Sequence, residues 1–206
     1  WRTVSVSRLA RFFRSPGKFF LQERLGIRLD EAEASVPSTE TFVFDGLQKW
    51  QLRARVVAEG SSHENAEDLS RLMRASGELP HGTAGPVLVA GIHEDLDEFL
   101  LQVEEARPAG VPVARSVDFR IGDFRILGEV EQVYGSEYFV VAAGRSNGSG
   151  KFKFDERDLI EVWIRHLVLS ASGLPLRTRC MAPDEDFWIG EEPKAEHILE
   201  DLLEFY

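Results

Sequence analysis

The stretch whose reading decides the fold is VPVARSVDFRIGDFRILGEVEQVYGSEYFVVAAGR, residues 111–145. Apolar and polar residues alternate from Val111 to Ile121 and again from Phe124 to Val133, and Tyr138 to Ala143 is a short apolar run. Alternation with period two puts one set of side chains on each face of a strand. Gly122-Asp123 and Gly135-Ser136 separate the runs and supply the turns. The spacing predicts a meander of three strands.

Working outward, Asp158 to Ser170 is helical and apolar nearly all round (Leu159, Ile160, Val162, Trp163, Ile164, Leu167, Val168), as expected of a helix covered on most sides. Gly173 ends it, Leu176 to Met181 reads as one more strand, and residues 194–206 as an amphipathic helix. Arg145 to Gly150 reads as a loop. Upstream the pattern is helical. Leu9, Phe12 and Phe13 have helical spacing, with Ser7 as the expected cap. Ser15-Pro16 interrupts the pattern and starts a second helix, with Phe19, Phe20 and Leu25 expected on its buried side and Gly26 as the stop. Residues 27–44 read as an acidic surface connection. Asp45 caps a helix through Trp50 and Val56, Glu64 to Ser76 forms another, and Pro86 opens a long helix with Leu88, Ile92, Leu96, Phe99 and Val103 on one stripe. The expectation is a single α/β domain over 1–206: a mainly helical part, 1–107, and a core of strand meander plus buried helix, 111–182.

Acids outnumber bases 35 to 24, for a net charge of −11 in 206 residues, and 43% of residues are apolar. That mixture folds, and its acidity argues against a domain that grips duplex DNA alone by neutralising phosphates. No apolar run reaches the roughly 18 residues of a membrane helix. The lone cysteine, Cys180, excludes an internal disulfide and fits a reducing, cytoplasmic setting. The chain opens on Trp1 rather than Met and ends on Phe205-Tyr206 inside an apolar helical pattern, which reads as the last domain of a longer polypeptide.

Several short patterns fail as sites. Gly148-Ser149-Gly150-Lys151 would be a phosphate loop only with glycine at 145 and Ser or Thr at 152, where Arg145 and Phe152 stand. His93-Glu94 would begin a zincin motif, but position 97 is Asp97, so a solvated helix face is expected there. His63, His81, His166 and His197 lack metal-ligand spacing. Asn147-Gly148-Ser149 is a glycosylation sequon with no sign of secretion around it. Cys180 has no activating neighbour and reads as a small buried apolar residue.

Two constellations remain. Arg8, Arg11 and Arg14 recur every three residues and share a helix face with Lys18 nearby, as a solvated face or a local phosphate-contacting stripe. The three strands and buried helix also invite a metal-dependent nuclease reading. That chemistry needs an acid at one strand end and (Asp/Glu)-x-Lys on the next, the acids holding the divalent ion and the lysine orienting water. Glu131 supplies the first acid. Ala142 stands where the second acid belongs and Gly144 where the lysine belongs. The scaffold pattern is present and the chemistry is missing. An active alternative would need migrated groups: Asp118, Asp123 and Glu131, with Lys151 or Lys153.

Leu9-Ala10-Arg11-Phe12-Phe13-Arg14-Ser15-Pro16, Phe19-Phe20 and Arg24-Leu25 resemble the opening helix pair of the carboxy-terminal domain of RecC, the exodeoxyribonuclease V gamma subunit. The resemblance continues through Glu40-Thr41-Phe42, Asp45-Gly46-Leu47, Leu79-Pro80-His81-Gly82 with Gly85, Gly128 to Val133, His166-Leu167-Val168 and Ala171-Ser172-Gly173. It implies a restriction-endonuclease-like core of the PD-(D/E)XK type that has lost its catalytic residues, with no cofactor. It further implies a bacterial RecBCD helicase–nuclease subunit acting in DNA recombination and double-strand-break repair. The partners so implied are RecB-like and RecD-like subunits and forked or broken-end DNA.

Overall fold

The computed structural model describes residues 2–27, 44–59, 63–75, 79, 82–146, 148 and 150–206. The chain enters as a strand, β1 (Arg2–Ser5), and turns directly into α1 (Val6–Arg14). The cap is Ser5 rather than Ser7: its backbone is extended and its hydroxyl accepts the Arg8 amide at 3.2 Å. The strand delivers the chain straight into the helix, which leaves Ser7 inside the first turn. Ser15 breaks the helix and α2 (Pro16–Phe19) begins on Pro16, continuing as a π-helical turn over Phe20–Arg24. A π turn holds more residues than an α turn, so positions spaced for an α-helix leave the packed face. Phe19 is accordingly buried, whereas Phe20 and Leu25, expected beside it, are exposed. The connection expected over 27–44 lies outside the described residues except at its ends, as do Pro80 and His81.

Asp45 caps α3 (Gly46–Glu59) as expected and does so reciprocally. Its Oδ1 accepts the Gln48 amide at 2.8 Å while Gln48 Oε1 accepts the Asp45 amide at 2.9 Å, which satisfies two helix-end donors at once. Then follow α4 (His63–Ala75) and α5 (Ala84–Ala106). The buried stripe of α5 runs through Val89, Ile92, Leu96, Phe99 and Val103. His93 is buried as well, not solvated, because it lies one turn beyond Val89 and under Leu96 on that same face.

The meander is present as β2 (Val113–Ile121), β3 (Phe124–Tyr134) and β4 (Glu137–Val141), both pairs antiparallel. Residues 145–153, expected to begin as a plain loop, carry a short antiparallel pair, β5 (Arg145–Ser146) and β6 (Phe152–Lys153). Asn147 and Ser149 of the sequon lie outside the described residues. Asp155 caps α6 (Glu156–Ala171) by accepting the Arg157 amide at 2.9 Å. The helix then crosses to β7 (Arg177–Ala182), which lies parallel to β4. A strand absent from the sequence reading, β8 (Glu185–Ile189), pairs antiparallel with β7, and α7 (Ala195–Phe205) closes the chain.

Strand β3 organises the sheet. β2 lines one of its edges, while the other is shared by β1, parallel over Phe124–Leu127, and β4, antiparallel at Val133 and Tyr134. The pleat then sorts neighbours to opposite cores. Val133, Tyr138 and Cys180 face a layer built by α1, α6 and α7, whereas Tyr134, Phe139 and Met181 face α3, α4 and α5. Helices therefore cover both faces of a mixed sheet. Gly128, at φ 144°, lets the first residue of α1 approach: a Cβ there would lie 3.4 Å from Val6.

Within the first core His166 is fully buried, shares a 2.8 Å hydrogen bond through Nδ1 with the equally buried Thr178 hydroxyl, and stacks on Trp163. Burial pushes its pKa down, against the pull of the Gly190 backbone and the Glu192 charge. A base whose folded pKa is depressed takes up protons more readily when unfolded, so its contribution holds above its unfolded pKa of about 6.5 and is lost as pH falls below it. Urea unfolding is therefore expected to show a loss of stability from pH 7 to pH 5 that is smaller in His166→Gln. An unchanged slope would place the proton uptake elsewhere.

Candidate functional site

The nuclease-like pattern falls where β3 bends. Val113 pairs with Val133 and Arg115 with Val130, so two steps on β2 oppose three on β3. The extra residue makes a bulge, and Gln132 there has φ 61°, the one described residue other than glycine with a positive value. Beyond the bulge β4 pairs with β3 only at Val133 and Tyr134. The two strands part and open a cleft of about 400 Å³ lined by Glu129, Glu131, Gln132, Val140, Val141 and Arg165, among others. Glu131 is thus exposed on a cleft wall. Glu129 instead accepts a 3.0 Å bond from the Ser116 hydroxyl across the β2–β3 ladder.

Positions 142 and 144 do not line that cleft. Ala142 continues the β4–β7 pairing, its amide donating to the Met181 carbonyl at 2.9 Å, and its methyl offers a metal no electron pair. Gly144 sits at φ 67°, and a Cβ there would meet the backbone of Phe152 and Lys153 at 2.7–2.9 Å. The β5–β6 pair covers this point and is fastened from the helical side. Trp50 Nε1 donates to the Gly144 carbonyl at 2.9 Å. Arg53, almost wholly buried, lies 4.0 Å over the Phe152 ring with Asp95 3.6 Å away. Burial pulls the Arg53 pKa down, with Asp95 and Asp184 opposing.

The migrated acids are scattered. Asp118 receives two short bonds from Arg125, 2.7 and 2.6 Å, which hold its carboxyl below the usual range. Asp123 lies exposed in the β2–β3 turn, Lys151 is exposed, and Lys153 reaches Glu185 at 3.9 Å. Among the described residues no three His, Cys, Asp or Glu side chains gather as a metal-ligand set. Cys180 is fully buried in the sheet, with its thiol pushed up to about 12, which suits the inert role read from the sequence.

The arginine stripe divides. Arg8 turns away, pairing with Glu23 at 3.0 Å and lying over Phe19. Arg11, Arg14 and Lys18 form one wall of a groove of about 700 Å³ whose other wall carries Arg145, Arg157 and Arg165. Arg14 bridges to α6 through Asp158 at 2.8 Å and Glu161 at 3.4 Å, so this face is a joint between helices as well as a wetted surface. The second trio escaped sequence reasoning because no common spacing links it. Tertiary packing brings position 145 of β5 and positions 157 and 165 of α6 opposite 11 and 14 of α1 and 18 of α2.

Gly144→Ala is expected to destabilise the protein by about 2 kcal/mol or more, because a left-handed non-glycine conformation and a backbone overlap add. Ala142→Gly, which adds no atoms, should cost less than half as much. Denaturant midpoints measure both, and equal effects would mean that the hairpin does not press on Gly144.

Comparison with known proteins identifies the family. A family model described as the RecC C-terminal domain matches residues 1–206. The RecBCD enzyme subunit RecC of Escherichia coli is 26% identical over 99% of this chain, which covers 18% of that protein. The subunit of the same name from Haemophilus influenzae is 25% identical over 80% of the chain, covering 14% of its own length. The chain spans less than a fifth of the curated relatives it matches. It belongs to the RecC C-terminal domain family.

Proposed function

We propose that this chain is a non-catalytic scaffold domain of a RecBCD-type helicase–nuclease, with a restriction-endonuclease-like core whose metal site is degenerate. The observation that carries the reading is at Gly144. The nuclease pattern calls for a lysine there, and neither its Cβ nor its left-handed backbone has room. Ala142 adds a second loss, since an acid is needed to complete a divalent-ion site with Glu131. The order helix, three antiparallel strands, crossover helix, parallel strand supports descent of the core from such a nuclease.

The names of its relatives, as subunits of the RecBCD enzyme, support a role within such an assembly. RecB-like and RecD-like subunits would be its partners, in the cytoplasm, and the assembly would work on forked or broken-end DNA in double-strand-break repair. A net charge of −11 is compatible with a domain held near DNA by neighbours. No helix among the described residues is long and apolar enough to cross a membrane.

The test is the full-length protein, purified without partner subunits and incubated with linear duplex DNA and Mg²⁺ or Mn²⁺. No degradation above a no-metal control is expected, and Glu131→Ala should be indistinguishable from wild type. Metal-dependent degradation abolished by Glu131→Ala would overturn the non-catalytic reading.

A further inference from the structure

On the other face of the sheet a pocket of about 880 Å³ lies between α3 and α5, with the β5–β6 pair as its third side. Helix α3 contributes Leu47, Trp50 and Arg53, and α5 contributes Val87, Gly91 and Asp95. Each trio recurs every three or four residues, so each is one helix face turned to the same space. Leu47 and Val87 are largely exposed there, at 62% and 70%. The size and the apolar walls are those of a site for an organic molecule.

The packing of the chain on itself accounts for neither of two features of this pocket. Arg53 is nine-tenths buried, yet its Nε has no hydrogen-bond acceptor among the described residues. Its guanidinium lies over the Phe152 ring, and its one printed ion pair, 3.6 Å to Asp95, is with a carboxylate that is itself mostly exposed. Buried guanidinium N–H groups are normally satisfied, and an unpaired one is costly. The second feature is Gly91, inside the 23-residue helix α5. Glycine is among the least favourable residues in a helix interior. Its φ is not positive, and a Cβ there would meet nothing within 4 Å, so neither backbone conformation nor packing calls for glycine. Its bareness instead leaves helix backbone open to close approach from the pocket. Charge is unbalanced in the same space: Lys49, Arg53 and Arg145 line it against Asp95 alone.

We propose that this pocket binds a small organic carboxylate with an apolar, ring-sized body. The carboxylate takes the unpaired Nε–H of Arg53 in a charge-assisted bond, and the body lies on Gly91 between Leu47 and Val87. A nucleic-acid strand would need a line of free cations, whereas most of this lining is apolar and its cations sit on one side with Trp50 and Phe152. The proposal goes beyond the scaffold reading and does not depend on it.

The test is saturation-transfer NMR on the full-length protein, alone and assembled with its partner subunits, with 3-phenylpropionate and its neutral isostere 3-phenylpropanamide as probes. The carboxylate is expected to bind on the order of tenfold more tightly than the amide. Arg53→Gln should remove that difference. Gly91→Leu should abolish binding of both probes while leaving the denaturant midpoint at or above the wild-type value, since the added side chain enters open space on a helix. Gly91→Ala, a smaller intrusion, should weaken binding by a smaller factor. Equal affinity for the two probes in the wild type, or binding that survives Gly91→Leu, would overturn the proposal, and neither result bears on the non-catalytic reading. Binding to the isolated protein that disappears in the assembly would also overturn it, by assigning the pocket to a protein interface.

Discussion

Strand β3 must serve three neighbours with two edges. One edge carries β2 along its length, and the other is divided between β1 near Phe124 and β4 near Tyr134. The interval between them follows from local geometry. Gly128 admits the start of α1 against the strand, and the bulge at Gln132 turns the remaining residues toward β4. The candidate sites stand around this division. The cleft with Glu131 opens at it, α1 leaves from it carrying Arg11 and Arg14, and α6 packs on α1 to complete the basic groove.

The second constraint is closure at the end of β4. In a working metal site the backbone here would project an acid and a lysine into the cleft. Here the chain turns through Gly144 under the β5–β6 pair, and that pair is secured to the helical layer by Trp50 and Arg53. Restoring the missing groups would take more than two substitutions, since the space for a side chain at 144 is filled by backbone. The covered position 144 and the fastening of the hairpin to the helical layer are thus one structural fact. Cations from α1, α2, β5 and α6 are grouped here although the chain as a whole is acidic.

Much of this was legible in the residues, for identifiable reasons. The meander, the α5 stripe and α6 carry long, regular hydrophobic periods, and the Asp45 cap carries its partner Gln48 three residues on. The short elements were not legible. β1 is four residues long and is defined by pairing with residues more than a hundred positions away, and β8 opens on the acids Glu185 and Asp186, which mask its alternation. The π-helical turn moved Phe20 and Leu25 outward, an effect no α-helical template anticipates. At the candidate site, the sequence shows Ala142 and Gly144 where the nuclease pattern calls for an acid and a lysine. The reason that glycine occupies 144, and the assembly of Arg145, Arg157 and Arg165 opposite Arg11, depend on tertiary packing.

The account stands most directly on whether a divalent ion finds ligands beside Glu131. Anomalous diffraction from crystals of the protein grown with Mn²⁺ reads this out atom by atom. The account predicts no manganese peak in the cleft between β3 and β4. A peak bound by the Glu131 carboxylate together with a second protein acid would contradict it.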